Sequence, residues 1–216
     1  MISTFIEEAP PTTLPVTEME TEMPAACLPV LLAMIGAVLL GWAVAAVFRK
    51  QYGGTIQPWL AVLPMLASAL LLWRYGFGPE LLQGMVLCLA LLYASAADIR
   101  TREVPDCVPV TITVAGLIGR TPEEIPLMIL AAVAVTIPQL AAAILKPGSY
   151  GGADIKIMAA GAFLLGLSRG LAAIMAGLLL AVVCTALVRK IRKQTMKASF
   201  ALAPYLSAGI LLAYFI

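Results

Sequence analysis

Histidine is missing from this 216-residue chain. Without it no Ser-His triad and no His-ligated metal site can be built. Paired cysteines are missing too. Cys27, Cys88, Cys107 and Cys184 stand far apart with no CxxC among them, which excludes a zinc ribbon and disfavours a disulfide framework. All four read as small apolar residues within helices, and no metal or other cofactor is expected. Charge is scarce: 12% of residues are charged and 62% are hydrophobic, whereas a soluble domain is about a quarter charged. The deficit points to an integral membrane protein, mostly helical. No basic patch carries interleaved aromatics, so nucleic acid is not expected as a partner. No repeat of about 20–50 residues is present, which excludes a solenoid.

The first 24 residues lack Lys and Arg and hold five glutamates, Glu7, Glu8, Glu18, Glu20 and Glu22. A secretory signal needs a basic start and then an apolar run, so residues 1–24 read as a disordered acidic tail. Eight hydrophobic runs follow, at 28–48, 57–73, 79–97, 105–118, 126–145, 155–167, 171–188 and 200–216. A membrane span takes about 20 apolar residues, so the fourth and sixth are short. The expectation is an all-α, polytopic membrane helix bundle of about eight transmembrane helices: the tail, two helices in 25–78, and a six-helix core in 79–216. With the N-terminus outside, eleven of the fourteen Lys and Arg fall on the inner side, and only Arg74, Arg120 and Arg169 fall outside. The positive-inside rule therefore favours this orientation, in a multi-pass protein of the cell membrane.

Two short acidic stretches interrupt the apolar sequence. One is Asp98-Ile99-Arg100-Thr101-Arg102-Glu103-Val104-Pro105-Asp106; the other is Tyr150-Gly151-Gly152-Ala153-Asp154-Ile155-Lys156. An acid at the edge of a hydrocarbon span is costly unless it is paired, hydrated or used. The topology puts Asp98, at the end of the third run, and Asp154, before the sixth, at the same cytoplasmic face. Two carboxyl groups converging on one water can cleave an amide: one takes a proton from water and the neutral one polarises the carbonyl. Close together they share a proton. A helix N-terminus favours negative charge and a C-terminus disfavours it, so Asp154 is expected to be the more readily ionised. Gly151 and Gly152 would let the backbone turn sharply before Asp154, or form an ordinary loop with Asp154 as N-cap. Pro105 reads first as a helix-starting proline, Arg100 and Arg102 as interfacial anchors, and Asp106 as a solvated first-turn acid. Lys156 is a carboxylate or phosphate partner or a snorkelling lysine.

Together these residues resemble the type IV prepilin peptidase family, GxGD-type membrane aspartyl proteases related to archaeal preflagellin peptidases. The first stretch matches its aspartate-then-Pro-Asp motif at Asp98, Pro105 and Asp106. The second matches Gly-x-Gly-Asp-x-Lys at Gly151, Asp154 and Lys156, with Ala153 replacing the second glycine. A third segment, Ser199-Phe200-Ala201-Leu202-Ala203-Pro204-Tyr205-Leu206, is similar to the family's Pro-Phe-x-Pro-Phe-Leu, with Ser199 where proline is usual. The resemblance implies Asp98 and Asp154 as the catalytic pair. It also implies a prepilin-peptidase-like domain over 79–216, and removal of a short basic leader from type IV pilin-like precursors at the cytoplasmic face. Larger members carry a domain with CxxC pairs linked to N-methylation; this chain has no such pairs and is expected not to methylate. The competing readings are a proton-coupled transporter, which would place its acids near mid-membrane and show inverted repeats, and a catalytically inactive membrane scaffold, which Ala153 would favour.

Overall fold

Among the described residues eight helices follow one another: α1 (Met19–Tyr52), α2 (Trp59–Tyr75), α3 (Pro79–Thr101), α4 (Cys107–Gly116), α5 (Ile125–Leu145), α6 (Gly152–Leu165), α7 (Leu167–Arg192) and α8 (Ala203–Phe215). This computed structural model describes residues 19–53, 59–146, 151–192 and 201–216, and among them there is no strand. The protein is an all-α membrane bundle. α3, α5 and α7 contain stretches long and apolar enough to cross a bilayer, while α4, α8 and the described part of α2 are shorter apolar helices. Of the expected acidic tail, residues 1–18 lie outside the described residues, and α1 takes in positions 19–24. Tyr150, Ser199 and Phe200 also lie outside them.

Burial ranks the helices. In its most apolar window α3 is 61% buried, against 22% for α5 and 17% for α7. α3 is therefore the central post, and α5 and α7 turn apolar side chains such as Leu127, Ile144, Met175 and Leu179 outward. The core is built by Leu87 and Leu91 of α3, Ile112 of α4, Ile157 and Leu164 of α6, and Leu206 and Ile210 of α8. A smaller cluster joins Ala45 and Phe48 of α1 to Leu92, Ala96 and Ala97 of α3.

Lipid is as apolar as leucine, so helices associate there through close packing and hydrogen bonds. The α7–α8 seam shows the first. A Cβ on Gly209 would sit 2.6 Å from the Gly177 backbone N and 2.8 Å from its Cα. The far end of the bundle shows the second. Gln83 donates to the Ala115 and Ile118 carbonyls at 3.1 and 3.3 Å, Tyr214 Oη donates to the Glu80 carbonyl at 2.6 Å, and Tyr75 Oη donates to the Tyr214 carbonyl. These bonds tie α2, α3, α4 and α8 together at the end opposite the acidic stretches.

Candidate active site

At the other end of the bundle the last turn of α3 meets the N-termini of α4, α6 and α8. Asp98 lies one turn inside α3, which continues to Thr101; the sequence had suggested that the helix stops beside it. Arg102 closes the helix in the left-handed region (φ 61°), and its N–H donates to the Asp98 carbonyl at 3.1 Å. The Asp98 side chain is buried, 8% exposed, and it is not orphaned: the Ala203 N–H donates to Asp98 Oδ2 at 2.9 Å. Ala203 is the first residue of α8, so this carboxyl fills the place of a cap for a helix whose own N-cap, Leu202, supplies no side-chain bond. The first N–H groups of a helix have no partner within it, and they carry the positive end of its dipole.

Asp154 sits in the first turn of α6, ahead of the apolar stretch that enters the bundle. It is not the N-cap; that position belongs to Gly151, whose N–H donates to the Asp154 carboxyl. Burial pushes Asp154 up to about 6, the neighbouring charge of Asp98 adds to the rise, and the Gly151 bond pulls the other way. The two carboxyls therefore sense one another. At Asp154 desolvation outweighs the lowering expected of a helix N-terminus, whose dipole is worth about 0.3–1 kcal/mol. Asp98 stands at the C-terminal end of its own helix but at the N-terminus of α8, so both acids face positive helix ends.

The glycines act differently from the sharp turn expected of them. Gly151 has φ −76° and ψ 143°, ordinary extended backbone, and Gly152 is helical. What Gly151 provides is space: a Cβ there would lie 2.8 Å from Asp154 Oδ2, whereas a Cβ on Gly152 would meet nothing within 4 Å. Ala153 is accommodated within the first turn of α6.

Lys156 links the two motifs, its Nζ lying 2.6 Å from Asp106 Oδ1. Asp106 is the backbone N-cap of α4, but its carboxylate is turned to Lys156 and makes no cap bond. Pro105 precedes that cap instead of starting the helix, and its carbonyl accepts the Val108 N–H at 3.0 Å. Arg100 is joined to α1, its guanidinium 5.7 Å from the centre of the Phe48 ring. Sequence reasoning missed Ala203. Pro204, in the first turn of α8, is a residue type favoured at helix starts, but a backbone donor has no residue type to betray it. Among the described residues no three His, Cys, Asp or Glu side chains are grouped to hold a metal ion.

No curated protein and no solved structure matches the chain. Residues 85–188 match the model of the type IV leader peptidase family, a stretch that starts within α3, ends within α7 and contains both acids. Over residues 85–188, therefore, the chain is similar to the type IV leader peptidase family.

Proposed function

We propose that the protein is a membrane aspartic endopeptidase. It removes the short basic leader of type IV pilin-like precursors at the cytoplasmic face, with Asp98 and Asp154 as the catalytic pair. The observation that carries this reading is the convergence of the two acids: the charge of Asp98 raises Asp154, although 56 positions separate them in sequence. Asp98, held by the Ala203 N–H, takes a proton from the attacking water. Asp154 carries the shared proton and donates a hydrogen bond to the scissile carbonyl. As the C–N bond breaks, a proton passes to the departing amine, and the pair returns to a single shared proton. A proton-coupled transporter would place such acids at mid-membrane; these lie together at helix ends. The direct test is to incubate the purified protein with a leader-bearing precursor and weigh the products by mass spectrometry. Loss of the leader at one bond supports the assignment, and an intact precursor refutes it.

Two further outcomes are expected. The first concerns pH. The pair works while it holds one proton, and Asp154 holds its proton up to about pH 6. kcat/KM should therefore fall as pH rises through about 6, reporting the joint titration of the pair in the free enzyme. A rate that is flat or rising across that range would contradict the assignment of the proton to Asp154. The second concerns the glycines. Gly151→Ala forces the Asp154 carboxyl to move and should cost about 10- to 100-fold in kcat, the scale set by misplacing a catalytic group by about 1 Å. Gly152→Ala, facing open space, should stay within about twofold of the parent by the same criterion. Equal losses in the two variants would show that the gap at Gly151 has no role.

A further inference from the structure

The first turn of α8 directs one backbone donor out of the helix. The N–H groups at a helix start have no partner from the usual intrahelical ladder. In α8, Pro204 has no N–H, and the Tyr205 and Leu206 N–H groups both donate to the Leu202 carbonyl, at 3.1 and 3.2 Å. The Ala203 N–H is left, and it donates to Asp98 Oδ2 at 2.9 Å. Among the described residues no hydrogen bond reaches Asp98 Oδ1. That oxygen is not sealed in either: among the same residues the partnerless side-chain oxygens shut off from solvent are Gln139 Oε1 and Thr185 Oγ1. The Asp98 carboxyl therefore has one anchored oxygen and one open to water.

α8 is pegged to α3 again one turn further on. Ser207, 7% exposed, donates from Oγ to the Leu91 carbonyl at 3.3 Å, and the same carbonyl accepts the Ser95 hydroxyl at 2.7 Å. Ser207 follows Ala203 by four residues and Leu91 precedes Asp98 by seven, so the two bonds run along one face of each helix. The apolar contacts between α3 and α8 have no direction; these two bonds do. Sliding α8 by one residue would move the Ala203 N–H by about 1.5 Å and break its bond to Oδ2.

We infer that the N-terminus of α8 positions Asp98: the Ala203 N–H anchors Oδ2, Oδ1 is the oxygen that takes the proton from water, and Ser207 is the residue that keeps α8 in the register this needs. The inference rests on the endopeptidase reading above and adds which atom acts and what aims it. An oxygen already engaged by an N–H is the poorer acceptor for a further proton, and the anchored Oδ2 stops the carboxyl from turning. At Oδ1 an O–H bond of water breaks and its proton stays on Oδ1. The electron pair left on the water oxygen forms the bond to the scissile carbonyl carbon, whose own oxygen accepts the hydrogen bond from Asp154. Ala203 and Ser207 touch no reacting atom; both act through Asp98.

The test deletes the donor without touching a side chain. Lactate incorporated at position 203 of the full chain in bilayer nanodiscs replaces the Ala203 N–H by an ester oxygen. On a leader-bearing precursor this should lower kcat about 10- to 100-fold and leave KM within about twofold, the pattern of a misplaced catalytic group rather than of lost binding. The control is the corresponding hydroxy acid at Leu206, which removes an ordinary bond of the same turn and should keep kcat within about twofold by the same criterion. Equal losses from the two esters overturn the inference. Ser207→Ala should lower kcat about threefold at unchanged KM, the scale of one interhelical hydrogen bond in lipid; an unchanged kcat removes Ser207 from the account. A second readout needs no substrate. The chain has three aspartates, Asp98, Asp106 and Asp154, so carboxyl-labelled aspartate gives three ¹³C signals, and the one lost in Asp98→Asn belongs to Asp98. The ester at 203 should move that signal and leave that of Asp106 in place. An unmoved Asp98 signal overturns the positioning role whatever the activity, whereas a wild-type protein that leaves the precursor uncut overturns the endopeptidase reading itself.

Discussion

Asparagine in place of either Asp98 or Asp154 is expected to reduce precursor cleavage by about 10²- to 10⁴-fold, the usual contribution of a positioned acid or base. The substitution keeps shape and volume, so the bundle should fold as before. What changes is proton chemistry. In Asp98→Asn the new amide oxygen would still accept the Ala203 N–H but would take no proton from water. In Asp154→Asn the side chain would have no acidic proton to share. The double variant should be scarcely worse than either single one, because groups that act as a unit are strongly non-additive. Asp106→Asn provides the contrast. Its pair with Lys156 is largely exposed, and such pairs are worth about 0–1 kcal/mol, so a change of several-fold at most is expected. Initial rates on one precursor decide the matter. If Asp98→Asn or Asp154→Asn kept more than a tenth of the parent rate, or if the two singles multiplied in the double, the paired-acid mechanism would fail.

Substituting Gly209 is expected to give the largest loss of stability of any single methyl added to the chain. The atoms in the way belong to the α7 backbone, namely Gly177 N and Cα and the Ala173 carbonyl. A side-chain tip could swing aside; a helix backbone cannot. Gly209→Ala therefore has to part α7 from α8, and overpacking of this kind costs about 1–3 kcal/mol. Gly209→Leu should prevent the pair from closing. The consequence reaches the end that holds the two acids, since α8 also carries the Ala203 N–H to Asp98. Gly209→Ala should lose activity as well as melting temperature. Gly36→Ala, where an added Cβ meets nothing within 4 Å, should lose neither. Thermal unfolding in detergent, followed by tryptophan fluorescence, measures the first effect and precursor cleavage the second. An unshifted melting curve for Gly209→Ala would mean that the α7–α8 seam is looser than described.

Much of this was legible in the sequence, for identifiable reasons. Apolar runs bounded by charge or proline marked all eight helices, because a backbone in lipid must satisfy its own hydrogen bonds. Each acid belongs to a short polar break between such runs, so their helix positions could be read to within a turn. What escaped the reading depends on neighbours distant in sequence. Asp98 was placed at a helix C-terminus, and nothing in its own segment reveals that α8 brings a donor to it from 105 residues away. The ionisation order of the acids was argued from helix ends alone, while burial, which only the packed bundle determines, dominates at Asp154. Gly151 was given a backbone reason, and the actual constraint is a carboxyl oxygen too close to admit a methyl group. Lys156 could have snorkelled; its partner Asp106 lies 50 residues earlier and becomes adjacent only once α4 packs on α6.

The Ala203–Asp98 bond also sets a schedule. A ribosome making this protein delivers Asp98, then Asp154, and only later the amide that steadies the first of them. A half-made chain with α1 to α7 threaded into the bilayer already owns both carboxyls, yet lacks the contact that completes the centre. On the proposed reading, the acid pair would be complete only once α8 has docked and brought the Ala203 N–H to Asp98.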